Sequence, residues 1–298
     1  MHFGKGQSHV ILAKDQYAGV KHIYVSVNGA PYVPYSETLK FDADGQYEIK
    51  YYSVDNVGNM EEVKSYSFTM DLSTPNSKLA VKGKNLQDML APSSKISIAS
   101  SDESSKVKDI WYSIDGGEDR RYLSELELSG LTDGEHTISY YAVDNTSNKE
   151  EVKTYSFYLD KIAPEVKSTI VGDQYQSRGR VFVSTRSKVK LEATDNKSGV
   201  KKIFYTINGG TEKAYNEPFD LPKSKGKYEI KFFAEDKVGN TAATTFDETK
   251  HGRQALDLDM EVPEIDFMYT GQSHTTRDTT FINSKTIIEL TAKDEDSG

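Results

Sequence analysis

The 298-residue chain contains no cysteine, and positive charge is in deficit, with 37 Lys and Arg against 46 Asp and Glu. Without cysteine there is no disulfide framework, no thiolate metal centre and no thiol nucleophile. The net charge of −9 and a pI near 5.3 exclude the basic face that a nucleic-acid partner requires. Six scattered histidines with no His-x-x-x-His spacing give no zinc signature. No apolar run approaches the roughly 20 residues of a membrane helix. The segment after Met1 lacks the apolar core of a signal peptide, so an export signal is expected outside this stretch. There is no Gly-rich phosphate loop after a strand and no Ser-His-Asp set in a recognisable setting. Acidic positions recur in every repeat, whereas an enzyme needs one site, so the chain reads as non-enzymatic.

What is present is repetition. YYSVDNVGNMEEVKSYSFTMDLSTP from Tyr51 returns 89 positions later as YYAVDNTSNKEEVKTYSFYLDKIAP from Tyr140. The full unit opens with an alternating strand ending in Asp: HVILAKD, KISIASSD, VKLEATD and IIELTAKD, ending at Asp15, Asp102, Asp195 and Asp294. A turn and a second strand follow (GVKHIYVSVNG, KVKDIWYSIDGG, GVKKIFYTINGG). Then comes a Gly-led strand ending at Asp55, Asp144 or Asp236, a turn (NVGN, NTSN, KVGN), a last strand and an Asp-x-x-x-Pro linker. The linkers run Asp71–Pro75, Asp160–Pro164 and Asp259–Pro263.

Period-2 alternation, β-branched and aromatic enrichment and a turn every 8–12 residues or so predict antiparallel β-sandwiches. The NG, DGG and NGG steps predict hairpins, because Asn, Asp and Gly tolerate positive φ. A unit of roughly 90–100 residues matches an immunoglobulin-like domain. Tyr47, His136 and Tyr228 stand at the position of a tyrosine corner, two residues before the inward Ile49 and its equivalents. The fold class is therefore all-β, with tandem immunoglobulin-like sandwiches. The repeats are assigned to residues 1–75 (first strand missing), 76–163, 164–262 and the start of a fourth at 263–298, which implies a fragment of a longer array. The linkers are expected to be extended, because Pro fixes φ and biases its predecessor away from helix.

The pattern SGVKKIFYTINGG … GKYEIKFFAEDKVGN resembles the bacterial Ig-like repeats catalogued after a leptospiral outer-membrane protein and labelled a β-barrel domain. The resemblance spans nearly the whole chain. It implies an exported protein in which such repeats act as spacers, adhesive modules or enzyme appendages. Lys106 stands where the pattern has Gly, and seven extra residues separate Asn240 from Asp259. A membrane barrel is not implied, since outward positions carry Glu48, Lys50, Lys202, Glu229 and Lys231, which suit lipid badly.

In this topology the acidic loops of one unit face the linker arriving from the previous one. That groups Asp71 with Asp102 and Asp144, Asp160 with Asp195 and Asp236, and Asp259 with Asp294 and Asp296. Converging carboxylates repel unless a hard cation with oxygen ligands sits among them, and calcium fits that description. Asp at a strand end before Asn-x-Gly-Asn is also the pattern of an Asx cap, accepting backbone N–H groups of its own turn. Capping explains each Asp alone, whereas calcium explains their joint recurrence. Strand parity further predicts outward cross-strand pairs Tyr24/Tyr52, Trp111/Tyr141 and Phe204/Phe233, which either stabilise the sheet or offer a ligand face.

The expected function is a stalk or interaction segment of an exported bacterial surface protein, extracellular or periplasmic, with a protein or glycan partner. The alternatives are a carbohydrate-binding or accessory region of a secreted hydrolase, and a scaffold subunit of an outer-membrane complex.

Overall fold

The computed structural model describes residues 1–241 and 252–294, which contain strands and turns but no helix. Part of the insertion after Asn240, and Asp296, therefore lie outside the described residues. The chain divides into two compact units, Met1–Leu159 and Asp160–Gly298.

In the first unit, Val20–Val27 and Gly45–Asp55 pair antiparallel at the centre of a five-stranded sheet. Its remaining strands are Lys64–Met70, Val33–Pro34 and the short His2–Phe3. Among the described residues no second sheet faces it. Residues 9–15 cross its inner face as irregular chain, held by a single bridge between His9 and Leu39. The following repeat is a full sandwich. A six-stranded sheet built around Val107–Ile114, Gly134–Asp144 and Lys153–Leu159 faces a three-stranded one of Asn76–Lys82, Lys95–Ser101 and Leu126–Glu127.

The second unit repeats this plan. Glu165–Val171, Lys188–Thr194 and Phe219–Asp220 face a six-stranded sheet centred on Val200–Ile207, Gly226–Asp236 and Gly252–Leu258. Beyond it, Glu264–Thr270 pairs with Ile287–Lys293, and Ser273–Thr276 pairs with Thr279–Ile282.

The strands form for the reasons visible in their alternation. Along Gly134–Asp144, His136, Ile138, Tyr140, Ala142 and Asp144 are buried, while the residues between them are partly open. The inward set packs with Leu90, Ile96, Ile98, Leu128, Phe157 and Leu159 into one core. Gly226–Asp236 has the same parity, with Tyr228, Ile230, Phe232, Ala234 and Asp236 buried. Hairpins fall where expected, with left-handed pairs at Asn28–Gly29, Asp115–Gly116 and Asn208–Gly209. The corner is also present three times. The hydroxyl of Tyr47 donates to Ala43 O at 3.1 Å, that of Tyr228 to Ser224 O at 2.7 Å, and His136 Nε2 contacts Thr132 O at 2.9 Å.

The purely antiparallel expectation needs one correction. Each sandwich contains one short parallel pair: His2–Phe3 with Thr69–Met70, Met89–Leu90 with Tyr158–Leu159, and Phe182–Val183 with Asp257–Leu258. In the two full sandwiches the first strand leaves one sheet and the chain crosses to the edge of the other, where two residues are enough to cap that edge.

A contact absent from the sequence reading joins the two sheets of the second sandwich. Glu150, 5% exposed, accepts from Ser77 N at 3.0 Å, Ser77 Oγ and Ala142 N at 2.6 Å, and pairs with Lys153 at 2.9 Å. Burial pushes its carboxyl up, but the bonds from Ser77, Lys153 and Ala142 outweigh that and hold it below the usual glutamate range. A lowered folded pKa means the stabilisation is complete above the unfolded value and is lost as pH falls through the folded one. Glu150→Ala should therefore cost the second sandwich about 2–3 kcal/mol at neutral pH in chemical denaturation, with the difference from wild type shrinking on acidification.

Lys106 adopts φ +72°, the conformation that Gly19 and Gly199 hold at the equivalent turns. A side chain there costs about 1–2 kcal/mol relative to Gly. Lys106→Gly should raise stability by about 1 kcal/mol, read from the same denaturation curves.

Candidate metal centre

The inward parity that fills each core runs one residue too far. It ends on Asp144 and Asp236, each 0% exposed, at the rim where the following turn begins. The linker aspartates Asp71 and Asp160 directly follow the inward Met70 and Leu159 and are also 0% exposed. A β-bulge recurs beside each acidic loop, at Val20/His22, Val107/Asp109 and Val200/Lys202. Bulges bend a strand and re-aim its end, here next to the loops carrying Asp15, Asp102 and Asp195.

The result is convergence. Asp71, Asp102 and Asp144 each offer a carboxylate oxygen within 4.8 Å of the others, and so do Asp160, Asp195 and Asp236. Two of the three expected groupings are thus brought together. The third grouping includes Asp296, which lies outside the described residues; within it Asp259 Oδ1 accepts from Glu261 N at 2.9 Å.

Each carboxylate also does local work. Asp144 Oδ1 accepts from Thr146 N and Asn148 N, both at 2.8 Å, and Asp236 Oδ1 accepts from Asn240 N at 2.7 Å. Asp102 Oδ1 takes Lys106 N at 2.9 Å, and Asp195 Oδ1 takes Gly199 N. The linker carboxylates reach into the arriving loops, Asp71 Oδ2 from Ser105 N at 2.9 Å and Asp160 Oδ2 from Ser198 N at 3.1 Å. These donors are neutral amides, so capping and convergence coexist. The donor set suits a hard cation: carboxylate oxygens throughout, no sulfur and no imidazole. Asp195 Oδ2 is buried without a hydrogen-bond partner, which leaves one oxygen of the second cluster uncommitted.

Electrostatics separate equivalent turns. Burial, and then the neighbouring charge of Asp160, push the Asp236 carboxyl above the ordinary range despite its bonds from Asn240 and Gly239. Asp55 holds the same turn position in the first sandwich, where its bonds to the turn lie exposed. There the bonds from Asn59, Val57 and Gly58 outweigh what desolvation remains, and its carboxyl lies below the ordinary range. At Asp71 burial acts upward, but bonds from Ser105 and Ser73 prevail and the shift is downward.

Two contributors escaped the sequence reading. Asn148 and Asn240 are more than turn formers. Asn148 Nδ2 donates to Asp71 O at 2.9 Å and Asp144 Oδ2 at 2.7 Å, and Asn240 Nδ2 to Asp160 O at 2.8 Å and Asp236 Oδ2 at 2.7 Å. Their recurrence at one turn position, with Asn59, was the available signal. Gly4 lies against the second sandwich so closely that a Cβ would meet Thr146 O at 2.4 Å. No pattern in the repeat announces that contact.

The aromatic pairs fall in register. Tyr24 stacks on Tyr52 and Phe204 on Phe233, each at 5.2 Å between centroids, and Trp111 pairs with Tyr141. Lys149 Nζ lies 3.6 Å over the Tyr141 ring and Lys202 Nζ 5.5 Å over Phe204. Cation–π coverage of this kind favours the sheet-stabilising role there. At Tyr24/Tyr52 a third ring, Tyr32, packs edge-on at 5.1 Å instead.

No family model matches the chain, and no curated protein matches it. Among solved structures it is similar to the fibronectin(III)-like modules of Clostridium thermocellum CbhA, at 18% identity over 53% of this chain and 88% of that one, with a TM-score of 0.30. It is also similar to part of a 1.5-MDa bacterial ice-binding adhesin, at 16% identity over 80% of this chain and 86% of that one, TM-score 0.39. A tetra-tandem repeat from the extending region of a large adhesion protein matches at 14% identity over 93% and 81%, TM-score 0.28.

Asn240→Ala should destabilise the third sandwich by about 2 kcal/mol, since it strips bonds from two buried oxygens. Asn59→Ala, at the exposed first-sandwich equivalent, should cost less than about 1 kcal/mol in the same thermal melts.

Proposed function

We propose that this chain is a non-enzymatic tandem Ig-like segment of an exported bacterial surface protein, a stalk or interaction module whose linkers are clamped by calcium. The repeats would be 76–163 and 164–262, with partial ones before and after. The observation that carries this reading is the pair of clusters, each placing three carboxylates within 4.8 Å, with linker carboxylates that accept from the backbone amides of Ser105 and Ser198. Three carboxylates and nearby carbonyls such as Asp71 O and Asp160 O provide oxygens for a cation that takes 6–8 of them at about 2.3–2.6 Å. Magnesium, demanding tighter octahedral geometry, fits such a donor set less well. Ligands already shared with turn amides make a weak site, of the roughly 10⁻⁴–10⁻³ M class that fills outside cells. That supports an extracellular or periplasmic location.

The ligands come from three separate stretches: linker, first acidic loop and second acidic loop. Binding would therefore tie the linker to the sandwich it enters. An accessory carbohydrate-binding region is the second reading, and the Tyr24, Tyr32 and Tyr52 cluster is the observation that favours it.

Melting the intact chain in calcium and in chelator tests the proposal. Calcium at about 100 times its Kd should add ~2.7 kcal/mol per site, while magnesium adds less. Asp195→Ala should remove the response of the third sandwich and cost it about 1 kcal/mol even in chelator, through the lost cap. Superimposable curves in calcium and chelator would reduce the aspartates to turn formers.

A further inference from the structure

The second sandwich differs from its neighbours at two linked positions. The hairpin turn carries Asn28 in the first sandwich, Asn208 in the third and Asp115 in the second. The corner residue is Tyr47, Tyr228 and His136 in the same order. Each hairpin residue caps the strand beside it in one way. Glu48 N donates to Asn28 Oδ1 at 2.8 Å, Glu229 N to Asn208 Oδ1 at 2.7 Å, and Thr137 N to Asp115 Oδ1 at 2.8 Å. Where the corner is a phenol, the turn carries a neutral amide. Where it is an imidazole, the turn carries a carboxylate.

His136 is 6% exposed, and both of its ring nitrogens meet acceptors. Nδ1 lies 2.7 Å from Asp115 Oδ2, and Nε2 lies 2.9 Å from Thr132 O. A carbonyl has no proton to offer, so Nε2 must carry a hydrogen. A neutral ring would then aim the Nδ1 lone pair at a carboxylate oxygen, which repels it. The contact is attractive when Nδ1 is protonated as well, as a charge-assisted bond. Burial acts to raise the Asp115 carboxyl, but the bond from Thr137 and the bond and charge of His136 hold it below the ordinary aspartate range. Asp115 is therefore the anion of the pair. Around the ring, the last strand presents Phe157, in register with His136 and 5.6 Å away between centroids. Tyr155 stacks on Phe157, and burial and then Asp88 push its phenol up. On the corner, Asp133 Oδ2 accepts from Tyr158 Oη at 3.2 Å, and Glu135 is exposed on the opposite face of the strand.

We propose that the second sandwich carries a pH-sensitive clasp, in which a protonated His136 ties the hairpin residue Asp115 to the corner carbonyl of Thr132. A ring that gains a carboxylate partner on folding contributes stability that is complete below the ordinary histidine value of about 6.5. That stability is lost as pH rises through the folded value. The Glu150 anchor has the opposite sign and fails on acidification, so the second sandwich is most stable between the two. The first and third sandwiches place phenols at the corner and gain no such dependence from it near neutral pH. The clasp is independent of the cation clusters, and chelator keeps the two apart.

The test is a pH series of imidazole nitrogen and carbon NMR shifts on the intact chain in chelator, with His136 assigned from its own backbone resonances. We expect both ring nitrogens to be protonated at neutral pH, and the ring to titrate above about 6.5. Asp115→Asn keeps the cap on Thr137 N, as Asn28 and Asn208 do in their hairpins, but removes the charge. It should lower the proton affinity of His136 at least about tenfold. Asp115→Asn combined with His136→Tyr copies the neighbouring sandwiches. It should abolish the fall in denaturation midpoint that the unmodified second sandwich shows as pH rises above neutrality. A ring titrating at or below the free-histidine value, a bare ring nitrogen at neutral pH, or an unchanged titration in Asp115→Asn would each overturn the proposal. The unmodified chain alone decides the first two outcomes, even if a variant fails to fold.

Discussion

The two-residue period of the β-strand governs this protein from core to rim. Side chains that alternate inward along Gly134–Asp144 and Gly226–Asp236 build the cores, and the same parity carries a carboxylate to the last inward position of each strand. A buried carboxylate must be solvated by the protein. The turn amides of Thr146, Asn148 and Asn240 provide part of that solvation, and so they fix the shape of the loop. Packing and polar satisfaction are thus one constraint, because a shift of register by one residue would expel both the core and the aspartate.

A single buried aspartate per loop would need no more than its cap. What changes the chemistry is the arrival of a second and third from outside the strand. The linker aspartates follow inward residues and would turn outward by parity, but they are buried against the loops of the sandwich they enter, where their oxygens accept from Ser105 N and Ser198 N. Asp55 and Asp236 show what that arrival does. The turns are alike and so are the caps, but one carboxyl is shifted down and the other up, because only Asp236 is deeply buried beside another aspartate. The repulsion left by the caps is what a cation would neutralise.

The repeats also show how the same fold tolerates different solutions at one position. His136 replaces a corner tyrosine and still reaches the carbonyl four residues back. Lys106 replaces a glycine and keeps its left-handed backbone. Glu150 welds two sheets, whereas Glu61 at the equivalent position is partly open. In each case the backbone geometry is retained and the side-chain chemistry adapts to it.

Alternation, turn chemistry and self-similarity are local properties, and they made the strands, the Asn-Gly hairpins, the corner and the sandwich class legible in the sequence alone. Two of the aspartate groupings, Asp71 with Asp102 and Asp144 and Asp160 with Asp195 and Asp236, were legible too, since topology places a linker beside the loops it enters. Other features required the folded chain. The roles of Asn148 and Asn240, the near contact of Gly4 with Thr146, the Glu150 bridge and the short parallel pairs all join residues that are distant in sequence or depend on ångström-scale fit. No periodicity encodes such contacts.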